Sequence, residues 1–98
     1  MIEQNEKVPK AIWEFEVLKK AIDKWGEAKQ LDMMQEEAAE LIVAINHYRR
    51  GRNTWIHVIE EMSDVRIIID QFATIGDNST VMNAERDKKM KRLEEKLK

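Results

Sequence analysis

The chain has no cysteine, one proline and three glycines among its 98 residues. Without cysteine there is neither a disulfide nor a thiolate metal ligand. Scarce Gly and Pro, with modest Val and Thr, favour an all-helical chain over a sheet. No apolar run approaches the roughly 18 residues of a membrane-spanning helix. The leading residues MIEQNEKV lack the apolar stretch of a secretion signal, so a cytoplasmic protein is the expectation. Charge of one sign is also lacking: 17 Lys and Arg stand against 19 Asp and Glu, a net of −2. That balance offers no general surface for a nucleic-acid polymer.

What is present is apolar bulk. Apolar residues make up 43% of the chain, including three Trp, six Met, one Tyr and two Phe. A single small domain over 1–98 is expected, with 1–7 and Lys98 frayed. A core of this size is marginal alone. So much apolar surface on short helices points to faces buried against a second subunit.

Helical spacing divides the chain into four segments. Pro9 suits a first turn, and Val8, Ala11, Ile12, Phe15, Leu18, Ile22 and Trp25 share one face, so the first helix is predicted to end near Lys24. Trp13 lies off that face, as a partial core residue, an oligomer contact or a pocket wall. Gly26 reads as a cap or turn. The stripe Leu31, Met34, Ala38, Leu41, Ala44, Ile45 and Tyr48 predicts a second helix over Glu27–Arg49. Asp32, as an N-cap with Gln35 at N3, would start that helix later. Arg49-Arg50-Gly51-Arg52-Asn53 is a basic turn, read either as solvated or as lying near an anionic ligand. Asn53 or Thr54 can cap a third helix over Trp55–Ile75, stopped by Gly76. A last, highly charged helix from Thr80 or Val81 to about Leu97 carries the thin stripe Met82, Met90, Leu93 and Leu97. The expected fold is all-α, four helices with a central antiparallel pair, completed into a bundle by homo-oligomerisation.

The central pair carries the chemistry. QEEAAELIVAI and IEEMSDVRIII each hold two acidic residues three apart, Glu37 with Glu40 and Glu61 with Asp64, offset by 24 residues. Apolar positions echo at the same offset: Met34 with Val58, Leu41 with Val65, Ala44 with Ile68, Tyr48 with Phe72. At about 100° per residue, Glu37 and Glu61 fall roughly 40° from the centre of their stripes, and Glu40 and Asp64 roughly 100°. Glu36 and Glu60 point about 140° away, towards water. A carboxylate on a packing face is costly unless paired, hydrogen-bonded or on a metal.

Three readings follow: a solvated acidic face, a salt-bridge network with Arg49, Arg50, Arg52, Arg66 or residues 88–92, and a divalent metal site. The first fits Glu36 and Glu60 but not the inward pair. Two like charges 4 Å apart repel by about 4 kcal/mol at an effective dielectric of 20, which a cation would reverse. Oxygen ligands without Cys or a suitable His pair indicate Mg²⁺ or Mn²⁺ rather than Zn²⁺. A di-iron bundle would need Glu-x-x-His pairs, but positions 40 and 64 are Glu and Asp. His47 and His57, one or two turns from the acidic pairs, read as surface or interface histidines.

With those residues in place the sequence resembles the MazG-like all-alpha nucleoside triphosphate pyrophosphohydrolases. Their pattern of ExxE, a spacer and ExxD matches Glu37-Ala38-Ala39-Glu40 and Glu61-Met62-Ser63-Asp64. Lys24-Trp25-Gly26 with Gln30 matches the upstream signature, and Lys89-Met90-Lys91-Arg92-Leu93 a basic patch on the last helix. The resemblance spans roughly residues 12 to 93.

It implies Mg²⁺, with Mn²⁺ as a substitute, on Glu37, Glu40, Glu61 and Asp64. It implies hydrolysis of nucleoside or deoxynucleoside triphosphates to monophosphate and pyrophosphate, in a homodimer or a tetramer of dimers. It further implies Glu40 or Glu37 beside the attacking water, and Lys89 and Arg92 neutralising phosphates. Trp25 and Gln30 would line the nucleotide pocket, although Trp25 also continues the first helix's stripe. The alternative is a non-catalytic helical nucleotide-binding or oligomerisation module with the carboxylates in salt bridges.

Overall fold

A computed structural model describes residues 8–98; the expectation of a frayed segment 1–7 lies outside the described residues. Four helices follow in order: α1 Lys10–Trp25, α2 Glu27–Arg49, α3 Trp55–Ala73 and α4 Asn78–Lys96. Among the described residues there is no strand, and no helix is long and apolar enough to cross a membrane.

One residue separates α1 from α2. Gly26 sits at φ 88°, ψ 155°, and its N–H caps Ile22 O. That region of backbone space is open essentially to glycine alone. An added Cβ would meet nothing within 4 Å, so the requirement is conformational and not steric crowding.

The α2–α3 connection is the basic turn read from the sequence. Thr54 caps α3, its Oγ1 accepting from His57 N–H at 3.3 Å. Asn53 does different work: its Nδ2 donates to Ala44 O at 3.2 Å and ties the turn back onto α2. The third helix ends at Ala73, two residues before the expected Ile75, because Thr74 Oγ1 turns back to donate to Gln71 O. Asn78 Nδ2 donates to Phe72 O at 3.0 Å, and α4 begins at Asn78, earlier than the expected Thr80. Asp32 lies inside α2, which starts at Glu27 as the longer reading has it.

The core is small. Ile22, Ala44, Val58 and Ile68 are its buried apolar residues, drawn from α1, α2 and α3, and α4 buries none of its residues. The α1 stripe is only partly used: Ile22 is buried and Leu18 half-buried, whereas Ile12, Phe15 and Trp25 are exposed. Ile42, Val43, Ile56, Ile59, Ile67, Met90 and Leu93 are also exposed. The α2–α3 contact is the most extensive in the molecule.

Two polar side chains complete that contact. Gln30 and Gln71 are 3% and 5% exposed, and Gln30 Nε2 donates to Gln71 Oε1 at 2.7 Å. A buried amide deprived of its partner costs about 1–3 kcal/mol, while removing both partners together can be nearly neutral. Gln71→Leu is therefore expected to lower unfolding free energy by about 1–3 kcal/mol, and Gln30→Leu/Gln71→Leu to recover most of it. Urea denaturation at one fixed protein concentration measures both; a double variant as unstable as the sum of the singles would remove the pair's role.

Candidate functional site

Three of the four matched acidic residues meet between α2 and α3. One carboxylate oxygen from each of Glu37, Glu61 and Asp64 lies within 4.8 Å of the other two. Burial follows the helical wheel: Glu37 and Glu61 are partly buried, and Glu36, Glu40, Glu60 and Asp64 exposed. Only 14% of the Glu61 side chain is exposed. Ala38, Leu41, Val58 and Val65, near them on the same two helices, are likewise buried or partly buried.

Their hydrogen bonding is incomplete. Glu37 Oε2 and Glu61 Oε2 are both shut off from solvent and have no hydrogen-bond partner among the described residues. Buried polar atoms are nearly always satisfied, so two such oxygens in one cluster call for an explanation. The salt-bridge network, the alternative reading, does not form around them: among the described residues no Lys or Arg pairs with Glu37, Glu40, Glu61 or Asp64. Burial pushes the Glu37 carboxyl above its usual range, and the charges of Glu40, Asp64, Glu61 and Glu36 push it further the same way.

This donor set fits a hard divalent cation. The ligands are carboxylate oxygens with no sulfur, and the two orphaned oxygens lack the positive charge that Mg²⁺ or Mn²⁺ would bring. Glu40 stands apart from the cluster of three. It is exposed and lines a neighbouring groove of about 350 Å³ together with Val43, Ala44, His47, His57 and Glu61.

His57 is the residue that the sequence reading left aside. Its Nε2 lies 3.8 Å from Glu61 Oε1 and its Nδ1 3.7 Å from Glu60 Oε2. The i to i+4 step from 57 to 61 was the available signal.

The remaining candidates lie elsewhere. Gln30 is committed to Gln71 inside the α2–α3 contact. Trp25 is 47% exposed, with Lys24 Nζ 5.6 Å from its ring centroid. Its ring is open to a partner, although its place on the α1 stripe suggested core. Lys89 and Arg92 are exposed on α4 and do not line the groove. Trp13 is half-buried in the wall of a separate cavity of about 420 Å³ between α1 and α3, with Leu18, Arg66 and Asp70. Its Nε1 has no partner.

The raised Glu37 pKa has a sign that can be measured. The folded state holds this proton more tightly than the unfolded one, so the group's contribution to stability falls as pH rises from the ordinary value of 4.5 through the raised one. In Mg²⁺-free buffer Glu37→Gln is thus expected to melt higher than the parent at neutral pH. The gain should vanish as pH drops below 4.5. Equal melting curves across that window would show that the inner carboxylate is not strained. Comparison of the chain with protein-family models, with curated proteins and with solved structures finds no match.

Proposed function

We propose that this chain is a Mg²⁺-dependent nucleoside triphosphate pyrophosphohydrolase of the MazG-like kind, converting a triphosphate and water to a monophosphate and pyrophosphate. The observation that carries the reading is the pair of orphaned buried oxygens on Glu37 and Glu61, converging with Asp64 where, among the described residues, no Lys or Arg pairs with them. The doubled motif, with its Trp-Gly ahead of it, adds the family resemblance. A solvated acidic face would leave the inner oxygens in water, and a salt-bridge module would supply them with Lys or Arg.

In this proposal Glu37, Glu61 and Asp64 hold the metal, and Glu40, one helical turn from Glu37, joins them by a side-chain rotation or accepts a proton from the attacking water. When bound, Mg²⁺ supplies neutralisation of phosphate charge and an acidified water. The chain contributes placement: inner glutamates fixed by packing, outer ones free to adjust at the solvent edge. Trp25 offers an exposed ring on which a nucleobase can stack. Gln30 acts through packing, since its amide is already used.

We further propose that α2 and α3 run antiparallel and that copies of the chain associate to complete the bundle. The cross-contacts support the first point: Gln30 with Gln71, Glu37 with Asp64 and Ala44 with Asn53 pair rising numbers with falling ones. The second is supported by a core of four buried apolar residues beside a long roster of exposed ones.

Phosphate analysis against a panel of triphosphates tests the reaction. Purified protein is expected to release pyrophosphate, not orthophosphate, only with Mg²⁺ or Mn²⁺, and Glu61→Gln to lose at least about 100-fold in kcat/KM, or roughly 2.7 kcal/mol of transition-state stabilisation. Sedimentation of the same preparation should give two or four times the 11.6 kDa chain mass. Metal-independent release, or release unaffected by Glu61→Gln, would reject the assignment; a monomer at micromolar concentration would reject the assembly.

A further inference from the structure

A site built only of carboxylates gives a phosphate tail nothing to bind apart from the metal. The chain must supply donors nearby, and the groove beside the cluster holds two. Glu61 belongs to both the cluster and the groove, and the groove's other polar walls are Glu40, His47 and His57 over a floor that includes Val43 and Ala44. We propose that His47 and His57 bind the terminal phosphates of the substrate and hold the pyrophosphate as it leaves. This rests on the hydrolase reading and adds to it which residues receive the tail, and in which direction it lies.

Three observations carry the inference. First, His57 Nε2 stands 3.8 Å from Glu61 Oε1, beyond hydrogen-bonding distance. An imidazole in either protonation state keeps one N–H to donate, and this one sits at the edge of the carboxylate cluster. Second, the donors lie to one side of the cluster. His47 and His57 line the groove beyond Glu40 and Glu61, and the chain between Glu40 and Glu60 holds no Asp or Glu but carries Arg49, Arg50 and Arg52 in the turn outside the groove. At 1.5 Å per residue His47 lies about 10 Å along α2 from Glu40, a span that a polyphosphate tail can bridge. An anionic tail leaving the metal in that direction moves towards donors; in the opposite direction it meets the buried Gln30–Gln71 contact. Third, Lys89 and Arg92, the basic residues suggested by the motif, are not in the groove.

The test is binding of inorganic pyrophosphate with Mg²⁺ in excess, read by thermal shift and calorimetry without turnover. The parent, His47→Ala/His57→Ala and Lys89→Ala/Arg92→Ala are each measured with Mg²⁺ alone and then with pyrophosphate added. Mg²⁺ is expected to stabilise all three proteins. Pyrophosphate affinity should fall about tenfold or more in the histidine variant, the size of one or two hydrogen bonds to a charged group. It should hold within about twofold in the Lys89/Arg92 variant.

A merely structural role for the histidines would lower melting temperature without moving pyrophosphate affinity. Unchanged affinity in the histidine variant, a loss confined to the Lys89/Arg92 variant, or no pyrophosphate binding by the Mg²⁺-loaded parent overturns the proposal. If Mg²⁺ alone does not stabilise the parent, the hydrolase reading fails and this inference falls with it. Should the double histidine variant lose its helical circular dichroism, His47→Gln and His57→Gln, measured singly, carry the same comparison.

Discussion

Mutual repulsion among carboxylates on the packing faces of α2 and α3 is the constraint around which the molecule is arranged. Each inner glutamate has an oxygen removed from water and given no donor in exchange. Burial and the neighbouring negative charges act together on Glu37 and raise its proton affinity. A domain of this size is stable by only several kcal/mol, so an uncompensated cluster works against a small net stability. The same negative field that raises the proton affinity of Glu37 would favour a divalent cation, which is what the proposed reading requires.

The rest of the chain serves to hold those two helices in register. Gly26, in a backbone conformation that side-chain-bearing residues avoid, joins α1 to α2 through a single residue. The Gln30–Gln71 bond fixes one part of the α2–α3 contact and Asn53, bonded to Ala44 O, fixes another. The carboxylates lie between these two ties. By contrast α4 buries nothing and shares contacts only with α3. Its exposed Met90, Leu93 and Leu97, with the apolar residues of α2 and α3, are surface that an assembly would cover.

Much of this was legible in the residues alone. Helical periodicity located α2 to the residue and α1 and α3 to within two, because apolar spacing and the caps at Gly26 and Thr54 agreed. The wheel also separated the inner glutamates from Glu36 and Glu60, since that distinction depends only on helix geometry. Less legible was anything set by contact across helices. Gln30 looked like a ligand group because its partner, Gln71, is 41 residues away and nothing local marks the pair. Glu40 was grouped with the metal ligands by spacing, but its side chain lies at the solvent edge, outside the cluster of three. Ile12 and Phe15 follow the α1 stripe and are nonetheless exposed, because periodicity marks a face for burial without saying which molecule buries it.

Titration of the apo protein with Mn²⁺, following the free ion by electron paramagnetic resonance, tests the central claim most directly. Saturable binding is expected, displaced by excess Mg²⁺ and lost in both Glu37→Gln and Glu61→Gln variants that retain parental helicity. A parent that leaves the free Mn²⁺ signal undiminished, or variants that bind as well as the parent, would contradict it.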